Sequence, residues 1–326
     1  MPPRYRIMES SIQVTTVTGV VPKAELGIIL PHEHIFINLM NQFKEPVMKL
    51  SMMAYTDPQD SVWGQPQAII NLCQQAQEAG IDVIDWITTS GVAPEEIRRI
   101  ADDYDITTVC YTFFSVDLNF PTTQERQAGL DILRKEMETA VILGANKIML
   151  PISGKAGMVR AESRRHIIAG LGAAAPLAKT MGVTITIEHL GDMRAPFIVS
   201  SDVNEAVRAV PELKITYDSG NDWLGGEDAT VGYKNSREHI VHVHFKDWVP
   251  ATDNGCVGAD GRSYVMVPIG MGLVDHVSIL KAMHAYGYNG CINMEFFGDN
   301  FDHTDARLRS MRYLSEQMDT LGIPRN

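Results

Sequence analysis

Basic runs, paired cysteines, long apolar stretches and glycine-rich phosphate turns are all missing from this 326-residue chain. Each absence removes a class of function. Lys and Arg together number 28 against 40 Asp and Glu, a formal charge of −12. With no Lys/Arg cluster to offset that balance, the chain is unsuited to gripping a nucleic-acid backbone or an anionic membrane surface. The four cysteines, Cys73, Cys110, Cys256 and Cys291, are far apart and form no CxxC. That argues against a disulfide framework or a zinc ribbon and leaves free thiols in a reducing compartment. No run approaches the ~20 apolar residues of a membrane span. The opening MPPRYRIMESS lacks the apolar core of a signal peptide. The expectation is a soluble, cytoplasmic protein. Neither GxGxxG nor GxxxxGK[ST] occurs, so the usual dinucleotide and P-loop signatures are absent.

What is present is ordinary globular composition, 45% hydrophobic and 21% charged, arranged as a repeated alternation. Short β-branched runs read as strands: 48–55, 82–88, 106–114, 146–152, 183–189, 213–218, 240–247 and 291–297. Amphipathic segments follow them: 65–80, 93–104, 122–144, 161–182, 201–210, a weakly helical 227–237, 275–287 and 304–321. Several close on a glycine suited to a helix C-cap. Near-continuous apolar strands alternating with helices indicate parallel pairing with both faces covered. Eight such units predict an α/β fold, a closed (β/α)8 barrel. A doubly wound open sheet would have fewer units and a glycine-rich first turn. Residues 1–47 stand outside the pattern as an N-terminal extension, and 48–326 form the barrel. The loop from Pro250 to Met266, rich in Gly, Asp and Asn, is expected to form a lid or rim.

Active sites of such barrels lie at the C-terminal ends of the strands. The fifth strand ends in Glu188 and His189, the sixth in Asp218, and the seventh carries His242, His244, Lys246 and Asp247. The eighth delivers Glu295. Buried carboxylates and imidazoles are costly unless paired or bound to a metal. Four consecutive strands each supply one. Two Glu, one Asp and one His make a hard, mostly oxygen site. It suits Mn²⁺ or Mg²⁺ and tolerates Co²⁺ or Zn²⁺. Glu188, Asp218, His244 and Glu295 are therefore the expected ligands of one divalent ion. The competing reading is a buried network of acids paired with Lys246 and arginines. Residues two apart on a strand share a face, so His242 sits beside His244 and is expected to support it or to touch a substrate. Asn221, Lys246, Asp85, His189, Lys155 and Arg262 complete the set of expected substrate contacts.

The segments TITIEHLGD, ITYDSGN, HVHFKDW, VPIGMGLVDH and INMEFFG carry a resemblance. Residues 48–326 resemble the xylose isomerase-like TIM barrel superfamily, and within it the sugar phosphate isomerase/epimerase branch. That branch places Glu, Asp, His and Glu on strands five to eight around one divalent metal. Glu188, Asp218, His244 and Glu295 occupy those positions. The resemblance implies a sugar or sugar phosphate substrate and proton abstraction next to a carbonyl through a metal-stabilised enediolate. Glu188 and Glu295 would then be the proton-transferring pair. It also implies homo-oligomers and leaves room for a partner subunit. The same ligands serve dehydratases and lyases acting on keto-sugars or keto-glycosides, so elimination is the close alternative. DNA-repair members of the superfamily are disfavoured by the −12 charge.

The stretch VTTVTGVVPKAELGIILPHEHIFINL instead resembles the start of phosphotriesterase-like amidohydrolases. His32 and His34 have the HxH spacing of that metal centre. The later lysine, histidine pair and aspartate of the pattern are not matched in order. An appended strand or arm is the expected role, with a binuclear hydrolase as the alternative. A non-catalytic carbohydrate-binding subunit is the third class.

Overall fold

Two units make up the chain, residues 1–45 and 46–326. The computed structural model describes residues 13–16, 19–22, 47–56, 61–252, 255–298 and 300–325. In the first unit β1 (Gln13–Thr16) and β2 (Gly19–Pro22) pair antiparallel. His32 and His34 lie outside the described residues.

The second unit begins with β3 (Lys49–Ala54) and α1 (Pro66–Glu78), then β4 (Val83–Ile87) and α2 (Pro94–Asp103). There follow β5 (Thr107–Thr112), α3 (Thr123–Leu143), β6 (Lys147–Leu150) and α4 (Arg160–Met181). Next come β7 (Thr184–Glu188), α5 (Ser200–Ala209), β8 (Lys214–Asp218), α6 (Ser219–Leu224), α7 (Ala229–Ser236) and β9 (Ile240–Phe245). After an inserted sheet, α8 (His276–Ala285), β13 (Cys291–Met294) and α9 (His303–Thr320) close the unit. Strands β3 to β9 and β13 form a closed barrel in which β13 returns to β3, every pair parallel. The eight barrel strands and the helices between them are those that the periodicity predicts, except α6 (Ser219–Leu224), which it does not mark.

Helix ends follow local chemistry. Thr122 and Glu125 form a reciprocal capping box at the start of α3. Gly144 ends it at φ 81°, a left-handed conformation in which a Cβ is unfavourable.

The strands are less uniformly apolar than expected. Outward positions such as Trp86, Ile148, Ile187, Tyr217, Val243, Phe245 and Ile292 join the core between sheet and helices. Each contributes roughly 1.5–3 kcal/mol by burial. The lumen face is different. Register places side by side Ser51, Asn293 and His244, Met53, Asp85 and Cys110, and Thr112, Met149 and Thr186. It likewise aligns Glu188, Thr216 and His242, and then Asp218 with His244. Neighbours in register share a face. The barrel is therefore filled largely by polar side chains, where branched apolar ones are usual. Thr186 and Thr216 hydroxyls bond between the neighbouring strands β7 and β8 at 2.7 Å.

The loop expected between Pro250 and Met266 is partly regular. β10 (Asp247–Pro250), β11 (Cys256–Val257) and β12 (Ser263–Val267) form a three-stranded antiparallel sheet in the order β10–β12–β11. Asp247 thus starts this sheet; it does not end the seventh barrel strand. Its buried carboxylate accepts N–H bonds from Gly270, Gly272 and Val274 at 2.9, 2.8 and 3.0 Å, tying the returning loop to the barrel. A Cβ on Gly272 would stand 2.2 Å from Asp247 Oδ1. Gly272→Ala and Asp247→Ala should each lower unfolding stability by roughly 2–4 kcal/mol, through a steric clash and through orphaned loop donors respectively. Urea denaturation checks this, and midpoints equal to wild type would refute the assignment.

Candidate metal centre

Four adjacent strands converge on one point at the C-terminal mouth. Glu188 is the last residue of β7, Asp218 the last of β8, His244 the penultimate residue of β9, and Glu295 follows β13 directly. The Glu295 N–H donates to the Phe245 carbonyl at 3.1 Å, which carries the pairing of β13 with β9 one residue further. Ligand atoms of Glu188, Asp218, His244 and Glu295 all lie within 4.8 Å of one another. All four residues are buried.

The atoms sort themselves by role. Asp218 Oδ1 accepts the Asn221 N–H at 2.8 Å as the cap of α6, which leaves Oδ2 for the centre. His244 turns Nε2 toward Asp85 Oδ2, 3.3 Å away. Its Nδ1 lies 2.8 Å from Glu188 Oε1 and 3.0 Å from Glu295 Oε2. Glu188 Oε1, Asp218 Oδ2, His244 Nδ1 and Glu295 Oε2 are buried, and their polar contacts are with one another and with Lys246. One such atom comes from each of the four residues. Three carboxylate oxygens and one imidazole nitrogen form the donor set that a hard divalent cation requires.

Lys246 is the local counter-charge. Its Nζ is 2.9 Å from Asp218 Oδ2 and 2.6 Å from Glu295 Oε1. The candidate ligand set and the acid–lysine network, the two competing readings of the sequence, thus share the same side chains. Burial favours the neutral acid and lifts Glu188 to about 7, against the opposing charges of Lys246 and His244. Burial opposes the imidazolium of His244, but Asp85, Glu188 and Glu295 together outweigh it and hold its pKa well above the usual value. Burial likewise opposes the Lys246 ammonium, and Asp218, Glu295 and Glu188 override it. In Glu295 burial favours the neutral form, yet Lys246 and His244 draw the pKa down. Both basic groups at the centre therefore carry protons when no other cation is present.

The remaining expected residues are distributed unevenly. Asp85 and His242 lie in the lumen, fully buried. His242 Nε2 is 2.5 Å from Asp85 Oδ2, so both contact His244's surroundings from the barrel interior. His189 is also buried; its Nε2 is 2.8 Å from the Asp218 carbonyl and 3.3 Å from Asp222 Oδ1, stitching β7 to β8. Asn221 is held by its backbone, and its side-chain Nδ2 is buried without a partner among the described residues. Lys155 is not brought to the centre. It pairs with Asp117 at 3.2 Å and stacks over Phe120 at 3.7 Å, beside a cavity of about 260 Å³ lined by Phe113, Leu150 and Ile167. Arg262 is exposed in the β11–β12 turn and meets Asp260 at 3.7 Å. The Asp85–His242–His244 contact and the anchoring by Asp247 were not assigned from sequence. Their signal was an acid and two histidines at lumen positions of otherwise apolar strands.

The family described as "Xylose isomerase-like TIM barrel" matches residues 73–317. The chain belongs to that family. A protein of Escherichia coli (strain K12) named "Putative L-ribulose-5-phosphate 3-epimerase SgbU" is 25% identical over 200 residues, 61% of this chain and 68% of that protein. Among solved structures, an L-ribulose 3-epimerase superposes with TM-score 0.69 at 14% identity, covering 84% of this chain and 95% of the other. The 3-keto-D-glucoside 4-epimerase YcjR from E. coli superposes with TM-score 0.63 at 14% identity, covering 82% and 98%. At such identities the superpositions establish a shared fold.

Proposed function

We propose that this protein is a sugar isomerase or epimerase that depends on one divalent metal ion, held by Glu188, Asp218, His244 and Glu295. The observation that carries the reading is the set of four buried atoms, one per residue, that lie within 4.8 Å of one another and meet only each other and Lys246. The likeness to SgbU supports a sugar or sugar phosphate as substrate. A divalent ion at this point would act as a Lewis acid on a substrate carbonyl and lower the cost of removing a neighbouring C–H proton.

The rest of the chemistry falls to the chain. Glu188 and Glu295 reach the centre from strands on either side of β8 and β9. One carboxylate takes the proton from the carbon beside the carbonyl, and the other returns a proton to that carbon or its neighbour. Without a bound ion, burial favours the neutral form of Glu188 and raises its affinity for a proton. Lys246 keeps Glu295 anionic and lies close enough to meet a substrate oxygen. Mn²⁺ is the ion we favour, because the donor set is oxygen-rich with a single imidazole.

The test is deuterium exchange. Protein loaded with Mn²⁺ and desalted should retain about one ion per chain and catalyse deuterium entry beside the carbonyl of a ketose, ketose phosphate or 3-keto-glycoside in heavy water. An epimer or isomer of unchanged formula is the expected product. Loss of water or an alcohol from the substrate would convert the reading to a lyase. About two retained ions would favour the hydrolase alternative, and no exchange with any of these substrates would refute the proposal.

A further inference from the structure

Beneath the four-residue centre the barrel holds a second polar group that the proposed chemistry does not use. Asp85 lies on β4 and His242 and His244 on β9, strands that are separated by β3 and β13 around the barrel. All three side chains are fully buried. A contact between them therefore crosses the lumen. Asp85 Oδ2 lies 2.5 Å from His242 Nε2 and 3.3 Å from His244 Nε2, and both nitrogens donate to it. The other ring nitrogen of His244, Nδ1, faces Glu188 and Glu295.

We infer that Asp85 is a positioning residue: it fixes the tautomer and ring plane of His244 so that Nδ1 presents its lone pair to a divalent cation, while His242 holds Asp85 in place. This rests on the metal-centre reading above. A ring that donates through Nε2 to a carboxylate keeps its proton on that side and frees Nδ1. The short contacts favour hydrogen bonds over a second ion in the trio, although the three residues are close enough to be ligand candidates. Two ligands of one ion stand about 3 Å or more from each other, given metal–ligand distances of roughly 2.0–2.2 Å. His242 and Asp85, at 2.5 Å, are closer than that, and fall further short of it than His244 and Glu188 at 2.8 Å. The other Asp85 oxygen, Oδ1, and His242 Nδ1 have no hydrogen-bond partner among the described residues, so the bonding of this pair is directed at each other and at His244. An amide can place its one oxygen where Oδ2 stands, but it lacks the negative charge that strengthens both N–H contacts, so it holds the two rings less firmly.

The experiment is Mn²⁺ titration followed by the electron paramagnetic resonance of the free ion, on wild type, Asp85→Asn, His242→Gln and the double variant. Far-UV circular dichroism and thermal unfolding are recorded without metal. Asp85→Asn should keep the fold and weaken Mn²⁺ binding by about 10–100-fold. His242→Gln should weaken it less, since His244 keeps its acceptor. The double variant should match Asp85→Asn, because both act through one ring. The visible spectrum of bound Co²⁺ should shift in Asp85→Asn, a change that a purely structural role would not produce. Wild-type affinity in a folded Asp85→Asn overturns the inference while leaving the metal centre standing. A second ion per chain that Asp85→Asn removes also overturns it, by making the trio a metal site in its own right. No ion bound by wild type removes the metal centre and this inference together.

Discussion

Glu295→Gln and Glu188→Gln should each reduce catalysed proton exchange by at least about 10³-fold, with the fold intact. Loss of a positioned acid or base alone accounts for roughly 10²–10⁴. Each substitution also removes one negative charge from the centre, so metal affinity falls as well. Glutamine matches glutamate in shape, and at position 295 its oxygen can still meet Lys246, 2.6 Å from the carboxylate now there. The two effects separate when activity is measured at saturating Mn²⁺. If turnover at saturation stays above about a tenth of wild type, neither carboxylate transfers the proton, and both are ligands or packing groups only. The variant that loses exchange with one epimer as substrate, yet retains some with the other, identifies the face on which that carboxylate works.

Apparent Mn²⁺ affinity should fall steeply with pH, by roughly 10²–10³-fold from pH 8 to pH 6. The sign follows from competition between protons and the ion for the same atoms. Without metal, His244 holds its proton more tightly than a free imidazole, since its acidic neighbours outweigh burial. Binding must expel that proton, so log K rises about one unit per pH unit. Below about 7 Glu188 is protonated too, burial being the main cause, and a second proton is then expelled. The slope steepens toward two on the acid side. Above His244's own pKa the dependence would flatten. Isothermal titration in two buffers of different ionisation enthalpy counts the released protons directly. An affinity independent of pH from 6 to 8, with no proton release, would show that His244 Nδ1 is not a ligand.

Much of this was legible from residue order. The period of the apolar positions marks eight strands and the helices between them, because burying one face of every element leaves a repeating trace in the sequence. Glu188, Asp218 and Glu295 could be singled out because carboxylates at the ends of such strands have no reason to be there unless something pairs with them. Other residues were harder. Lys155 and Arg262 are basic residues near strand ends in sequence, yet Lys155 turns to Asp117 and Phe120, and Arg262 meets its neighbour Asp260. Local charge partners captured them, and nothing in their spacing reveals that. Asp247 reads as the end of a strand but opens a new sheet, where its carboxylate gathers three N–H groups from a loop more than twenty residues later.

Residue order by itself determined the barrel, the net negative charge, and the four residues expected at its mouth. These are properties of single strands and of composition, and each leaves a local pattern. Only the tertiary structure decided which atom of each residue faces the centre. Asp218 commits one oxygen to a helix cap and turns the other to the centre, where it meets Lys246. His244 divides its two nitrogens between Asp85 across the lumen and the acids above it. Closing the barrel brings Asp85 and His242, 157 positions apart, into hydrogen-bond contact. A pairing of that kind depends on the shear and closure of the sheet, and no periodicity along one strand records it.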